Sequence, residues 1–262
     1  MTPAGNWTVA TLPLVSDRPG RDERSKPDGY SPRGLKNLIR SRTTKAVRQS
    51  CRDLWTEIQL QRRHFASLKK ARRLPRPADL KLHLGCGPCL KPGWINVDIN
   101  APGADLQLDL REKLPFPDAG ASFVYCEHFF EHLDYPSSAM NFLRECWRVL
   151  KPGGVLSLGV PDTEWPIVSY ATGDPAYFDL VRARFHPAWC NTRMHNLNYH
   201  FRQEREHKYA YDLETVTKIL EEGGFVSVVR RSFDPDLDSP SRKVESLPRK
   251  TAGLYVDARK PG

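Results

Sequence analysis

The sequence predicts an α/β fold: a mostly parallel seven-stranded sheet with flanking helices, preceded by a basic helical extension at the N-terminal side. Three observations carry this expectation. Short apolar runs alternate with amphipathic stretches along the C-terminal two-thirds of the chain, as strands joined by helices do in a parallel sheet. The first run, Lys81-Leu82-His83-Leu84, opens into Gly85-Cys86-Gly87-Pro88, a turn that regular helix or strand does not tolerate. The next run, Trp94-Ile95-Asn96-Val97, ends on Asp98. Strand, glycine turn, strand and carboxylate form the layout of a nucleoside-binding half-sheet. The glycines let the backbone approach a ligand, and a carboxylate at the second strand's end can accept both ribose hydroxyls.

The first strand spans the Lys81–Leu84 alternation and the second Trp94–Val97. Ala104 to Leu110 is expected as a third short strand ending near Asp109, and Ser122 to Cys126 as the fourth. Residues 137–150 place Met140, Phe142, Leu143, Cys146, Trp147 and Leu150 on one broad face, which predicts an amphipathic helix. Lys151-Pro152-Gly153-Gly154 is expected to end that helix. Val155 to Val160 is the fifth strand. Residues 163–210 read as irregular, rich in aromatic residues and histidine. Asp212 is placed as the N-cap of a helix over Leu213 to Glu222, with Gly223-Gly224 behind it. Phe225 to Phe233 and Gly253 to Ala258 supply the last two strands.

Upstream of this domain the composition shifts. Residues 1–33 hold Pro, Gly and charge without apolar period, and read as a disordered or loosely attached leader. Residues 34–76 form the basic amphipathic extension, with Leu35, Leu38, Ile39, Val47, Cys51, Leu54, Trp55, Ile58, Phe65 and Leu68 at roughly helical spacing. Packing on the domain, packing on a second subunit to give a homodimer, and contact with an anionic membrane surface all stay open for it. The domain proper is expected over 77–262, with a substrate-side insertion at about 163–210.

Charge follows the same division. Met1 to Leu80 carries 18 Lys and Arg against seven Asp and Glu, whereas the whole chain sums to +9. The glycine-turn domain is therefore slightly acidic, and the basic balance is no nucleic-acid footprint over it. No run of eighteen apolar residues exists, so no membrane span is expected. No basic leader with an apolar block precedes the domain, and the six cysteines are scattered. Reduced thiols in a cytoplasmic protein, at most peripheral to a membrane, are the expectation.

Five pieces in one order, LHLGCGP, NVD, DL before LPFPD, YCEHFFEHL and RVLKPGGVLSLGVPD, resemble a class I S-adenosylmethionine-dependent methyltransferase. The resemblance covers about residues 80–162 and implies a Rossmann-like sheet. More narrowly, GCGPxxxPGWxNVD and HKYAYDLETVTKILEEGGF are similar to a group of small bacterial methyltransferases. A dinucleotide fold fits less well. The third glycine is missing at the required spacing, and Asp98 follows Gly85 by only 13 positions. The same short distance replaces the usual first crossover helix with a turn.

The resemblance implies S-adenosylmethionine as cofactor and S-adenosylhomocysteine as product. Gly85 and Gly87 would contact the amino-acid part through their backbone, with Cys86 as a small filler between them. Asp98 would hold the ribose, with Ile99 beside it. Asp109 would accept the adenine amino group, with Leu110 against the ring. Glu127 and His128 follow the fourth strand, where the methionine end of the cofactor meets the substrate pocket. His132 is the candidate general base, since an imidazole titrates near neutrality, and His207 is a candidate substrate contact. Each position has a plainer reading: a strand-end turn, a helix cap, a solvated charge or a packing contact. Cys86-x-x-Cys89 lacks the second pair a structural zinc needs, and the histidines of 186–207 lack ligand spacing, so no metal is expected.

The acceptor expected is a small molecule, with a hydroxyl of a sugar, glycan precursor or secondary metabolite as first choice. Nucleic-acid bases are disfavoured, because no Pro-Pro-Tyr-type motif follows the fourth strand. Two alternatives stay open: a non-catalytic cofactor-binding partner acting through its basic helix, and an RNA-directed methyltransferase.

Overall fold

The computed structural model describes residues 42–75, 77–234, 237 and 252–262. The expected leader, residues 1–33, and residues 34–41 of the extension lie outside the described residues. The chain divides into two compact units, Met1–Cys51 and Arg52–Gly262. Of the first unit, the described residues, 42–51, include the start of helix α1 (Lys45–Ala71).

The sheet of the second unit contains six strands among the described residues: β1 (Leu80–Leu84), β2 (Ile95–Val97), β3 (Ala121–Glu127), β4 (Leu150–Pro161), β5 (Val226–Arg231) and β6 (Gly253–Arg259). They lie in the order β2-β1-β3-β4-β6-β5. The first four run parallel, and β6 is antiparallel to both β4 and β5. Leu82, Leu84, Val124, Cys126, Leu156, Leu158 and Val256 are fully buried on one face of the sheet, and His83, Tyr125, Ser157 and Tyr255 are buried on the other, as expected of strands covered on both faces.

The seventh expected strand is absent among the described residues, and the reason is visible. Ala104–Leu110 makes a single parallel bridge, Leu106 to Val97. Its next amides turn to helix α1 instead. Gln107 N donates to Ser67 Oγ at 2.9 Å and Asp109 N to His64 Nδ1 at 3.1 Å. Both acceptor side chains are buried. Leu106, Leu108 and Leu110 still bury themselves in the core, which is the alternation that reads as a strand.

Helix α2 (Ser137–Val149) buries Ala139, Phe142, Leu143, Cys146 and Val149, a single stripe at 3.6-residue spacing. The Lys151–Gly154 run lies inside β4 rather than closing the helix. Pairing with β3 jumps from Leu150 to Val155 while β3 advances from Ala121 to Phe123. The four residues thus form a bulge with Gly153 at φ +75°. The segment expected to be irregular contains helices α3 (Glu164–Thr172), α4 (Ala176–Arg184) and α5 (Arg193–Arg202). They share a small core of Tyr177, Phe178, Val181 and Leu197. Helix α6 spans Leu213–Glu222, and Asp212 caps it by accepting from Thr215 N at 2.8 Å.

No helix among the described residues is long and apolar enough to cross a membrane.

Candidate active site

A cleft of about 890 Å³ opens at the carboxyl ends of β1, β2 and β3, where open parallel sheets bind ligands. Gly85, Cys86 and Gly87 line it from the end of β1, Asp98 and Ile99 from the end of β2, and Glu127 from the end of β3. Asp109 and Leu110 line it as well, and His128 and His132 border the same space. These ten sequence-predicted residues are therefore brought together. His207 is not among the cleft residues. It lies behind His132, ring centroids 5.1 Å apart, beside a separate small cavity.

The turn between β1 and β2 is built on left-handed backbone. Gly85 sits at φ +68° and Gly87 at φ +49°, conformations that disfavour any side chain. Gly85 N donates to Val97 O at 2.8 Å, tying the turn to the end of β2. A Cβ on Gly85 would lie 2.6 Å from Phe129 Cβ, so the close approach of the two loops requires glycine. Asp98 organises the rest. Its Oδ2 accepts from Gly87 N at 2.9 Å, and its Oδ1 from Asn100 N at 2.7 Å and Ala101 N at 3.0 Å. With two lone pairs per oxygen, Oδ2 retains one accepting position.

Farther along the cleft, Asp109 is gripped by Arg111. The guanidinium donates to both carboxylate oxygens at 2.7–3.1 Å and reaches Glu57 Oε2 at 2.9 Å. Burial raises the Asp109 carboxyl, but the hydrogen bonds and charge of Arg111 outweigh it and hold the group below its usual range. Glu57 and Leu60, from helix α1, line this end of the cleft. Sequence reasoning missed these two and Arg111. Nothing in a surface-like helix marks Glu57, 54 positions before Arg111, whereas Arg111, two positions after Asp109, was within reach of a local charge-pair argument.

At the other end, Glu127 is buried and accepts from Tyr255 Oη at 2.7 Å. His128, at φ +51°, turns its Nδ1 to within 3.3 Å of Glu131 Oε1. Glu131 is 1% exposed, and its Oε2 has no hydrogen-bond partner. Burial raises its carboxyl, yet the bond and charge of His128, with the charge of His132, leave it below the ordinary value. His132 Nδ1 contacts the Glu206 carbonyl at 3.1 Å. Cys86 is buried, and burial first, then the Asp98 charge, push its thiol up to about 12.

The site is thus a cleft with a glycine turn and a carboxylate at one wall and a histidine pair at its far end. Residues 82–158 match the family described as Methyltransferase domain. No curated protein matches the chain. Among solved structures, the chain is similar to a SAM-dependent methyltransferase from Archaeoglobus fulgidus, with 21% identity, a TM-score of 0.43 and 74% and 92% of the two chains covered. It is also similar to a Bordetella parapertussis protein described as a possible exported protein, with 19% identity, a TM-score of 0.45 and coverage of 77% and 68%. A third is Haemonchus contortus phosphoethanolamine N-methyltransferase 2 in complex with S-adenosyl-L-methionine, with 13% identity and a TM-score of 0.44. There 76% of this chain is covered, and it spans about half of the other, 52%.

The domain is of the nucleoside-cofactor-binding α/β class. The protein is an enzyme, an S-adenosylmethionine-dependent methyltransferase.

Proposed function

We propose that the enzyme methylates a small-molecule acceptor, with a hydroxyl of a sugar, glycan precursor or secondary metabolite as the preferred class. The observation that carries this reading is the placement of His128 and His132 in the same cleft as the glycine turn and Asp98. Gly85 and Gly87, with Cys86 between them, would hold the cofactor's amino-acid part, Asp98 with Ile99 its ribose, and Asp109 and Leu110 its adenine, and Glu127 and His128 would face its sulfonium end.

The chemistry is direct in-line displacement. Bound there, S-adenosylmethionine would supply its methyl carbon to the acceptor oxygen, the electron pair of the broken carbon–sulfur bond staying on sulfur as S-adenosylhomocysteine. The hydroxyl proton passes to an imidazole, His132 or its neighbour His128. No covalent enzyme intermediate is needed, which agrees with a Cys86 thiol held protonated. The test is transfer of labelled methyl groups to a panel of sugars, nucleotide sugars, phenols, amines and RNA, with products identified by mass. Label on hydroxyl acceptors supports the reading; label confined to amines or RNA overturns it.

A further inference from the structure

We propose that Glu131, His132 and His207 form a binding site for one divalent transition-metal ion of the zinc type. One ligand atom from each residue lies within 4.8 Å of the others. The set is two imidazoles and one carboxylate, a donor combination that suits zinc and its first-row neighbours better than magnesium or calcium.

Three independent features of the surroundings point to an ion. The first is the orphaned oxygen. Glu131 Oε2 is buried without a partner, and an unpaired carboxylate oxygen in the interior carries a large desolvation cost. The second is the orientation of both rings. A carbonyl can only accept, so Nδ1 of His132 donates to Glu206 O at 3.1 Å and Nδ1 of His207 to His200 O at 2.8 Å. Both neutral rings therefore carry their lone pair on Nε2. A backbone carbonyl fixing the far nitrogen is the usual support of a metal-bound histidine. His132 Nε2 already stands 4.0 Å from Glu131 Oε1. The third is space. A cavity of about 10 Å³ touches Glu131, His207 and Tyr211, whereas His132 borders the neighbouring cleft; the cavity has room for a single small ion or water. Ligand atoms about 2.1 Å from a tetrahedral ion sit roughly 3.4 Å apart, so the three side chains close in by about 1 Å on binding.

The ion joins two parts of the chain. Glu131 and His132 belong to the short 3-10 turn Phe130–His132 after β3, and His207 follows the α3–α5 segment. The backbone already links them, since Lys208 N donates to Glu131 O at 2.8 Å. The ligands fall 75 residues apart, which is why no metal spacing is legible in the sequence. With Nε2 of His132 bound to the ion, His128 is left as the base at the acceptor end; this consequence alone rests on the proposed methyl-transfer reading.

The test is calorimetric titration of chelator-treated full-length protein with Zn²⁺ and with Co²⁺, the latter also followed by its visible absorption. The expected result is one ion per chain, a rise in melting temperature, and at least hundredfold weaker binding in Glu131→Gln and in His132→Ala. The exposed control His195→Ala binds as the wild type does. Wild-type protein that binds no ion, or binding unchanged in both site variants, overturns the inference and leaves a water bridging Glu131 and Tyr211. His132→Ala keeps the test decisive if Glu131→Gln does not fold, because His132 lies at the cleft surface with a side chain 31% exposed. Binding of S-adenosylhomocysteine, measured on the same sample, reads the cofactor cleft separately: cofactor binding without metal binding removes only this inference.

Discussion

Asp98 Oδ2 accepts the backbone amide of Gly87 across 2.9 Å. The residue proposed to hold the ribose is thus also the post on which the glycine turn is hung. Two further amides, from Asn100 and Ala101, occupy its other oxygen. The turn and the β2 end form one preorganised unit, with a single accepting position on Oδ2 left for ligand.

Gly85→Ala is expected to be costly. The new Cβ meets Phe129 at 2.6 Å, at a backbone φ of +68°. Left-handed strain alone costs about 1–3 kcal/mol, and the clash adds to it. Denaturant unfolding should show a loss of at least ~2 kcal/mol, with weakened S-adenosylhomocysteine binding. A fully stable variant would show that the two loops do not need this approach.

Arg148 knits the loop before β3 to helix α2. Its guanidinium binds both oxygens of Glu145 at 2.6 and 2.9 Å, Asp118 at 2.7 Å, and the carbonyls of Leu114 and Phe116 at 2.9 and 2.8 Å. Arg148→Met removes this donor from the Leu114 and Phe116 carbonyls and from partly buried Glu145, whose Oε2 keeps only the Leu114 amide at 2.7 Å. The expected loss is about 2–4 kcal/mol of stability, read as a shift in urea midpoint. A shift no larger than that of an exposed Arg182→Met control would contradict the role.

The thiols should separate sharply. Cys51 is exposed, while Cys86 is buried with its thiol pushed up to about 12. Alkylation of native protein at mildly alkaline pH should label Cys51 well before Cys86, since the thiolate is the reactive form. Peptide mass mapping checks the order. Rapid labelling of Cys86 would mean that its surroundings are wetter and less negative than described.

Acid should weaken the α3–α5 segment through His186. Burial holds this ring's pKa below the ordinary 6.5, against the pull of its bond to Asn196. As pH falls below the unfolded value, the unfolded chain takes up a proton that the folded ring still resists. Stability present above that value is lost downward through the folded one. From about pH 7.5 to about 5.5, melting temperature should decline less steeply in His186→Gln than in the wild type. Parallel declines would remove His186 as a contributor.

Much of this was legible in sequence because it is local. The glycine turn, Asp98, Asp109 and the Asp212 cap each announce themselves within a few residues. The failures share a cause. Ala104–Leu110 has a strand's alternation, but its amides are claimed by Ser67 and His64 of a helix forty residues earlier. Lys151–Gly154 has the chemistry of a helix stop, yet pairing with β3 absorbs it as a bulge. Glu57 at the cleft and His207 behind His132 reach their places by tertiary packing alone. Local pattern carries no information about such partners.

Whether Asp98 and the glycine turn hold the cofactor is read most directly by titrating wild-type and Asp98→Asn protein with S-adenosylhomocysteine in a calorimeter. One site per wild-type chain is expected, with at least ~tenfold weaker binding in the variant, about 1.4 kcal/mol, and folding confirmed by melting. Equal affinity in the two proteins would contradict that role.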